Sequence, residues 1–117
     1  SLSLLDSKRY LDGLGLPYDS VATLIGGGAK GKLWSSITAD VLGIPLRITE
    51  SSDSSLGSAM LAGIAVGIFK DAKTAAELCV KVKDTVYPHK ENTEKYGVIF
   101  DEYKRIHDAL APIYKER

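Results

Sequence analysis

The stretch "LIGGGAKG", Leu24 to Gly31, decides how this chain is read. Two apolar residues run into three successive glycines, and a lysine and a further glycine follow. An apolar, β-branched run that stops at glycine reads as a short buried strand, here Ser20–Gly27 ("SVATLIGG"). The loop beyond it has the composition of a phosphate-holding turn, in which glycines leave backbone N–H groups open to an anion. Two literal patterns compete for it. Gly26, Gly28 and Gly31 fit the dinucleotide fingerprint G-x-G-x-x-G. Gly26, Gly31 and Lys32 fit most of the phosphate-loop pattern G-x-x-x-x-G-K-[ST], which fails at Leu33, because an apolar side chain cannot hold magnesium. A third reading gives the glycines no ligand at all, only a tight strand-to-helix turn.

Working outward, "KLWSSITADVLG" places Leu33, Trp34, Ile37, Val41 and Leu42 on one helical face, with Gly43 as the stop and Pro45 beyond it. "PLRITE" is a second short strand. The polar loop "SSDSS" leads to "LGSAMLAGIAVGIF", a helix dense in Gly, Ala and Ser. "AKTAAELCVKV" is another short helix, and "DTVYPHKE" an irregular connection, within which Thr85–Tyr87 offers a third, short candidate strand. The last helix repeats Tyr96, Ile99, Phe100, Tyr103, Ile106 and Leu110 at three- and four-residue spacing. Upstream of the loop, Leu4, Leu5, Lys8, Tyr10, Leu11 and Leu14 support a first helix, with Gly13, Gly15 and Pro17 ending it. The alternation of strand and helix implies a parallel sheet covered by helices. Two confident strands make a poor sheet, so further strands are expected outside this chain or in a partner. The open edge also favours pairing with a second copy.

Composition narrows the function classes. The 117 residues carry 15 basic and 15 acidic side chains, which favours neither a nucleic-acid nor an anionic-membrane surface. No apolar run reaches the roughly 20 residues of a membrane span. "SLSLLDSKRY" lacks the layout of a signal peptide. The lone Cys79 excludes a disulfide framework and a cysteine-based zinc site within the chain, and reads as a buried filler. These features fit a cytoplasmic protein. The chain opens inside what reads as a helix, which implies a piece of a larger protein.

The dinucleotide reading has one further support. Glu50 closes the second strand about 20 residues beyond Gly31, where an acid would meet a ribose. It also makes a demand: a third parallel strand directly after Glu50, where a small-residue helix is read instead.

An ordered set of motifs points elsewhere. Gly26-Gly27-Gly28-Ala29-Lys30 is followed by Leu33-Trp34, then Ala39-Asp40-Val41-Leu42-Gly43 with Pro45. Glu50 and Leu56-Gly57-Ser58-Ala59 come next, and the tail holds Tyr87-Pro88, Glu91-Asn92 and the tyrosine-rich "YGVIFDEYKRIHDALAPIY". From Val21 to Tyr114 this set resembles the FGGY family of carbohydrate kinases. The resemblance implies an α/β fold, part of an actin-like (RNase H-like) ATPase domain with short parallel strands and flanking helices. All 117 residues would form the C-terminal part of the second, nucleotide-binding domain. It implies ATP and Mg²⁺ in the intact protein, a sugar as acceptor, and the remaining kinase domains as partners. Gly26, Gly27, Gly28, Ala29, Lys30 and Gly31 become the candidate nucleotide-binding residues, with no catalytic and no metal-holding residue in this chain. Gly31 stands where relatives commonly carry Ser or Asn, so no side chain reaches the purine from there.

In this family an aspartate takes the proton of the attacking sugar hydroxyl, and none here matches that motif. The isolated chain is therefore expected to be inactive. The "GGGAK…LW" and "ADVLG-P" pattern is closer to the xylulokinase-like branch than to the glycerol kinase branch, which implies D-xylulose as substrate, with related ketoses, gluconate and glycerol as the alternatives. Asp40 reads as a helix-surface or packing residue, Glu50 as structural, and Trp34 as core. Gly57, Ala59, Ala62 and Gly63 read as close helix packing, and His89 and His107 lack ligand spacing. The competing readings are an NAD-type dinucleotide-binding module and a noncatalytic scaffold with a decayed nucleotide loop.

Overall fold

The computed structural model describes residues 1–17, 19–51 and 53–115. Helix α1 (Leu2–Gly13) is followed by strand β1 (Ala22–Leu24), helix α2 (Lys32–Leu42), strand β2 (Leu46–Thr49), helix α3 (Ser54–Ala65), helix α4 (Ala72–Cys79), strand β3 (Val82–Val86) and helix α5 (Lys90–Lys115). Of the polar loop Ser51–Ser55, Ser52 lies outside the described residues.

The sheet has the order β1-β2-β3. β1 and β2 are parallel, with Ala22 opposite Leu46 and Leu24 opposite Ile48. β3 pairs with β2 in the antiparallel sense, Leu46 facing Val86, with an irregularity between Ile48 and Thr49. The third strand is thus real but earlier and longer than the Thr85–Tyr87 expected. It takes Val82 from what reads as helix α4 and Asp84–Val86 from what reads as an irregular connection. The signal is masked because Lys83 and Asp84 interrupt the apolar run. Those exposed charges suit a strand whose outer edge must not recruit another chain. Among the described residues no third parallel strand follows Glu50, so the demand made by the dinucleotide reading is not met there.

The core lies between helices. Leu5 of α1, Val41 of α2 and Phe100 of α5 are buried together, flanked by Leu2, Ile37, Leu42, Tyr96 and Tyr103. Arg9 of α1 stacks its guanidinium 4.2 Å from the centre of the Phe100 ring. The face α2 buries differs from the expected one. Ser35, Thr38, Ala39, Asp40 and Val41 are buried, whereas Leu33 is 76% exposed and Trp34 48% exposed. Both belong to the first turn, which projects beyond the layer that covers the rest of the helix. In α5, Phe100, Tyr96 and Tyr103 face the core, but Ile99, Ile106 and Leu110 are exposed. With 26 residues, α5 runs about 39 Å and outreaches the shorter helices that pack on it.

Other expectations also shift. α3 stops at Ala65, and the chain turns back so that the Phe69 ring lies over Gly63, where a Cβ would meet ring carbons at 2.6 Å. Gly63 therefore does serve close packing. Gly57 does not, having open space where its Cβ would stand, and Ala59 and Ala62 are exposed. Cys79 is half-buried rather than buried, because it closes the short surface helix α4.

The contact that ties these elements together is Asp40. Its side chain is 5% exposed. Oδ1 accepts the backbone N–H of His89 at 2.7 Å and lies 3.1 Å from His89 Nδ1; Oδ2 accepts Asn92 Nδ2 at 2.7 Å. Burial pushes the carboxyl pKa up, but the hydrogen bonds from His89 and Asn92 outweigh it and hold the pKa below the ordinary carboxylate value. Of the two expectations for Asp40, helix-surface or packing residue, the second holds: it is buried and joins two helices. It caps α5 from another helix, where the positive end of the helix dipole also favours a carboxylate.

Asp40→Asn sets an amide donor against donors. It is expected to destabilise the protein by about 2–3 kcal/mol in denaturant unfolding at pH 7. Because the folded-state pKa lies below the unfolded one, Asp40 contributes fully above the unfolded carboxylate pKa. That contribution is lost as pH falls through the folded value. The stability gap between wild type and Asp40→Asn should accordingly close as the pH is lowered through that range.

Candidate functional site

Because β1 and β2 are parallel, their carboxyl ends open on the same side of the sheet, where open α/β sheets place ligands. A groove of about 830 Å³ lies there, within the size range of small-molecule sites. One wall is the exit of β1, with Thr23, Ile25, Gly26, Gly27 and Lys30. The floor continues through Thr49, Glu50 and Ser51 at the end of β2. The far wall is the first turns of α3, with Asp53, Ser54, Leu56, Gly57 and Met60, and Val80 closes one side.

The glycine loop is built by backbone rules. Gly26 has φ +79° and ψ −167°, a region that only glycine enters without strain. It turns the chain out of β1 into a single 3₁₀ turn, Gly27–Lys30, closed by Ala29 N–H to the Gly26 carbonyl at 3.1 Å. Gly31 then caps α2 without a side chain, and its carbonyl accepts both the N–H and the Oγ of Ser35 at 2.9 Å. The N-cap, Gly31, supplies no side-chain acceptor to the N–H groups of the first turn of α2.

The six candidate residues separate in space. Gly26, Gly27 and Lys30 line the groove. Ala29 points inward and is 8% exposed. Gly28 turns toward Trp34, and Gly31 starts the helix. A Cβ on Gly27 would meet nothing within 4 Å, so this backbone faces the groove bare. Gly26, and not Gly27, carries the positive φ.

Opposite the loop, Asp53 caps α3, accepting Ser55 N–H at 3.0 Å. That hydrogen bond holds its carboxyl below the ordinary range, and the charge of Lys30 across the groove adds to the effect. Glu50, read as structural from sequence, orders the loop only through its backbone N–H, bonded to Lys81 O at 2.9 Å. Its exposed side chain lines the groove instead. The groove therefore combines bare backbone donors and Lys30 at the loop, the Glu50 and Asp53 carboxylates across from it, and apolar side chains of Ile25, Leu56, Met60 and Val80. That combination suits a ligand with one anionic and one flat apolar part. Periodicity could not reveal α3 as the second wall, because its position depends on the β2–α3 connection.

Among the described residues, no three or more His, Cys, Asp or Glu side chains converge on a metal-sized site. His89 is engaged with Asp40, and His107 lies 3.2 Å from Asp108 on the surface of α5. No described helix is long and apolar enough to cross a membrane.

Residues 6–66, more than half of the chain, match the model of the FGGY family of carbohydrate kinases, C-terminal domain. The chain belongs to this family. The matched span holds β1, the glycine loop, α2, β2 and α3, which is every wall of the groove except Val80. The chain is 32% identical over 106 residues to a xylulose kinase of Staphylococcus epidermidis, covering 90% of this chain and 21% of that protein. It is 34% identical over 94 residues to an autoinducer-2 kinase of Enterobacter sp. strain 638, covering 80% of this chain and 18% of that protein. It thus spans about a fifth of the length of these relatives.

A crystal structure of ligand-bound xylulose kinase from Lactobacillus acidophilus superposes with a TM-score of 0.84 at 21% identity, over 98% of this chain and 23% of that one. Gluconate kinase from the same organism gives 0.77 at 20% identity, over 88% of this chain and 21% of that one. These likenesses establish the fold, part of an actin-like ATPase domain. FGGY membership and the antiparallel β3 together replace the NAD-type reading.

The FGGY glycine loop makes a sharp stability prediction. Gly26→Ala should cost about 1–2 kcal/mol from backbone strain alone, since open space surrounds its Cβ position. Gly27→Ala should leave the unfolding midpoint nearly unchanged. Equal effects of the two in denaturant titration would contradict the assignment of the strained residue.

Proposed function

We propose that the protein carrying this chain is an ATP-dependent carbohydrate kinase, and that residues 1–117 form the C-terminal part of its second, nucleotide-binding domain. The observation that carries this reading is the groove of an FGGY chain at the carboxyl ends of β1 and β2, where Gly26 and Gly27 present backbone without side chains. Gly26, Gly27 and Lys30 meet the nucleotide from the groove. Gly28, Ala29 and Gly31 set the turn and the start of α2 that place them. Lys30 and the helix N-terminus favour the phosphates, and Ile25, Leu56, Met60 and Val80 supply apolar surface for the base.

In such a reaction the sugar hydroxyl attacks the γ-phosphorus of ATP, its proton passes to a carboxylate base, and ADP leaves. The aspartates placed structurally here are already engaged: Asp40 holds α5, Asp53 caps α3 and Asp71 caps α4. None of the chain's aspartates matches the family's catalytic motif, so the base and the sugar contacts are expected outside this chain. Magnesium is the ion this chemistry implies for the full protein. ATP use puts the reaction in the cytoplasm.

D-xylulose, converted to D-xylulose 5-phosphate, is the favoured substrate, supported by the xylulose kinase relative that matches 90% of the chain. Autoinducer-2 is the second reading, because relatives of that name reach 36% identity over 77% of the chain. Release of ADP by the full-length protein, assayed with each candidate acceptor, ATP and magnesium, decides between them. Gly27→Val should weaken ADP binding about 30-fold or more, through lost space in the groove, while leaving sugar binding unchanged. Calorimetry that finds NAD bound and ADP not bound would overturn the kinase reading.

A further inference from the structure

Trp34 is the large side chain that the functional reading leaves without a task. It is 48% exposed, so the core does not account for it, and it does not line the groove. Its neighbours are in the glycine loop. A Cβ built on Gly28 would stand 3.1 Å from both Cδ1 and Nε1 of the indole, and one on Gly31 would stand 3.5 Å from Trp34 Cβ. The indole edge therefore lies against Gly28, at a distance that a side chain at position 28 would crowd. Helix geometry explains the placement. Trp34 sits in the first turn of α2, where side chains lean back toward the N-terminus and cover the preceding residues.

The loop needs such a support. Between Gly26 and Gly31 it is a single 3₁₀ turn, with Ala29 N–H bonded to the Gly26 carbonyl at 3.1 Å and Gly31 N–H to the Gly28 carbonyl at 3.4 Å. A glycine-rich segment loses more conformational freedom on ordering than any other. Ala29 is anchored inward, and the indole stands against Gly28. Gly26 and Gly27, on the groove side, stand between the end of β1 and these two neighbours.

We infer that Trp34 is a positioning residue for nucleotide binding: its indole holds Gly28 from outside the groove and so presents the Gly26–Gly27 backbone to the ligand. The inference rests on the nucleotide reading above, but its test has a part that does not. In the full-length protein, Trp34→Ala should speed amide exchange of a peptide spanning residues 24–34 by about tenfold or more, with or without nucleotide. Trp34→Phe, which keeps a ring against Gly28, should restore most of the protection. In parallel, Trp34→Ala should raise the ADP Kd about ten- to a hundredfold, with sugar affinity and melting temperature little changed. Gly28→Ala should displace the ring and weaken ADP binding in the wild type, and do so much less in the Trp34→Ala background. Unchanged exchange in Trp34→Ala overturns the inference, as does equal loss in Trp34→Ala and Trp34→Phe. Wild-type protein that does not bind ADP overturns the nucleotide reading instead, and the exchange result still decides whether Trp34 holds the loop.

Discussion

Asp40 is a carboxylate almost withdrawn from water, and it is tolerable there because both its oxygens are hydrogen-bonded by one short segment, His89 to Asn92. The constraint is reciprocal. Without Asp40 the first N–H group of the α5 cap has no acceptor, and without the α5 N-terminus a buried charge has no partner. α2 and α5 are therefore fixed at one relative position along their lengths. The apolar contacts of Val41 and Phe100 then fill the space this leaves, and Leu5 of α1 closes it. Apolar contacts alone would tolerate sliding; the hydrogen-bonded charge does not.

The same helix carries the site. α2 begins at Gly31, and its first residues follow directly from the turn that faces the groove. Clamping α2 at Asp40 thus also fixes where the glycine loop stands relative to the ends of β1 and β2. Gly26 then sends the chain outward at an angle that other residues would adopt only under strain. The groove is a product of two parallel strands, one forced turn and one clamped helix, and its opposite wall comes from the Asp53-capped start of α3.

Much of this is legible in the sequence, and the rest fails for identifiable reasons. The helices and both parallel strands follow from period and punctuation, with Gly43 ending α2 in a left-handed conformation as expected. The glycine loop and its family follow from an ordered set of motifs. β3 is hidden because its apolar positions are broken by Lys83 and Asp84, which an edge strand can carry and a buried strand cannot. The role of Asp40 is hidden because its partners lie 49 and 52 residues away. The groove's far wall, Leu56, Gly57 and Met60, is hidden because small residues on a helix signal packing more often than a ligand.

The burial of α2 shows why a hydrophobic pattern misleads here. Its most buried residues are Ala39 and Thr38, each 0% exposed, and Ser35 at 2%. These are small or polar, while Leu33 and Trp34, larger and more apolar, stay largely outside. Small side chains on the inner face bring the helix close to its neighbours, and the hydroxyls find partners, one within α2 and one at the start of α1. Ser35 bonds to the Gly31 carbonyl and Thr38 to Ser1 Oγ. A helix set this close carries its first turn to the mouth of the sheet, with its largest ring left over the loop. Bulk at positions 35 and 38 would lift α2 off its neighbours and carry Trp34 away from Gly28. The polar burial of α2 and the exposure of Trp34 are therefore two consequences of one requirement: the glycine loop must be held at the strand ends by a helix that stands close behind it.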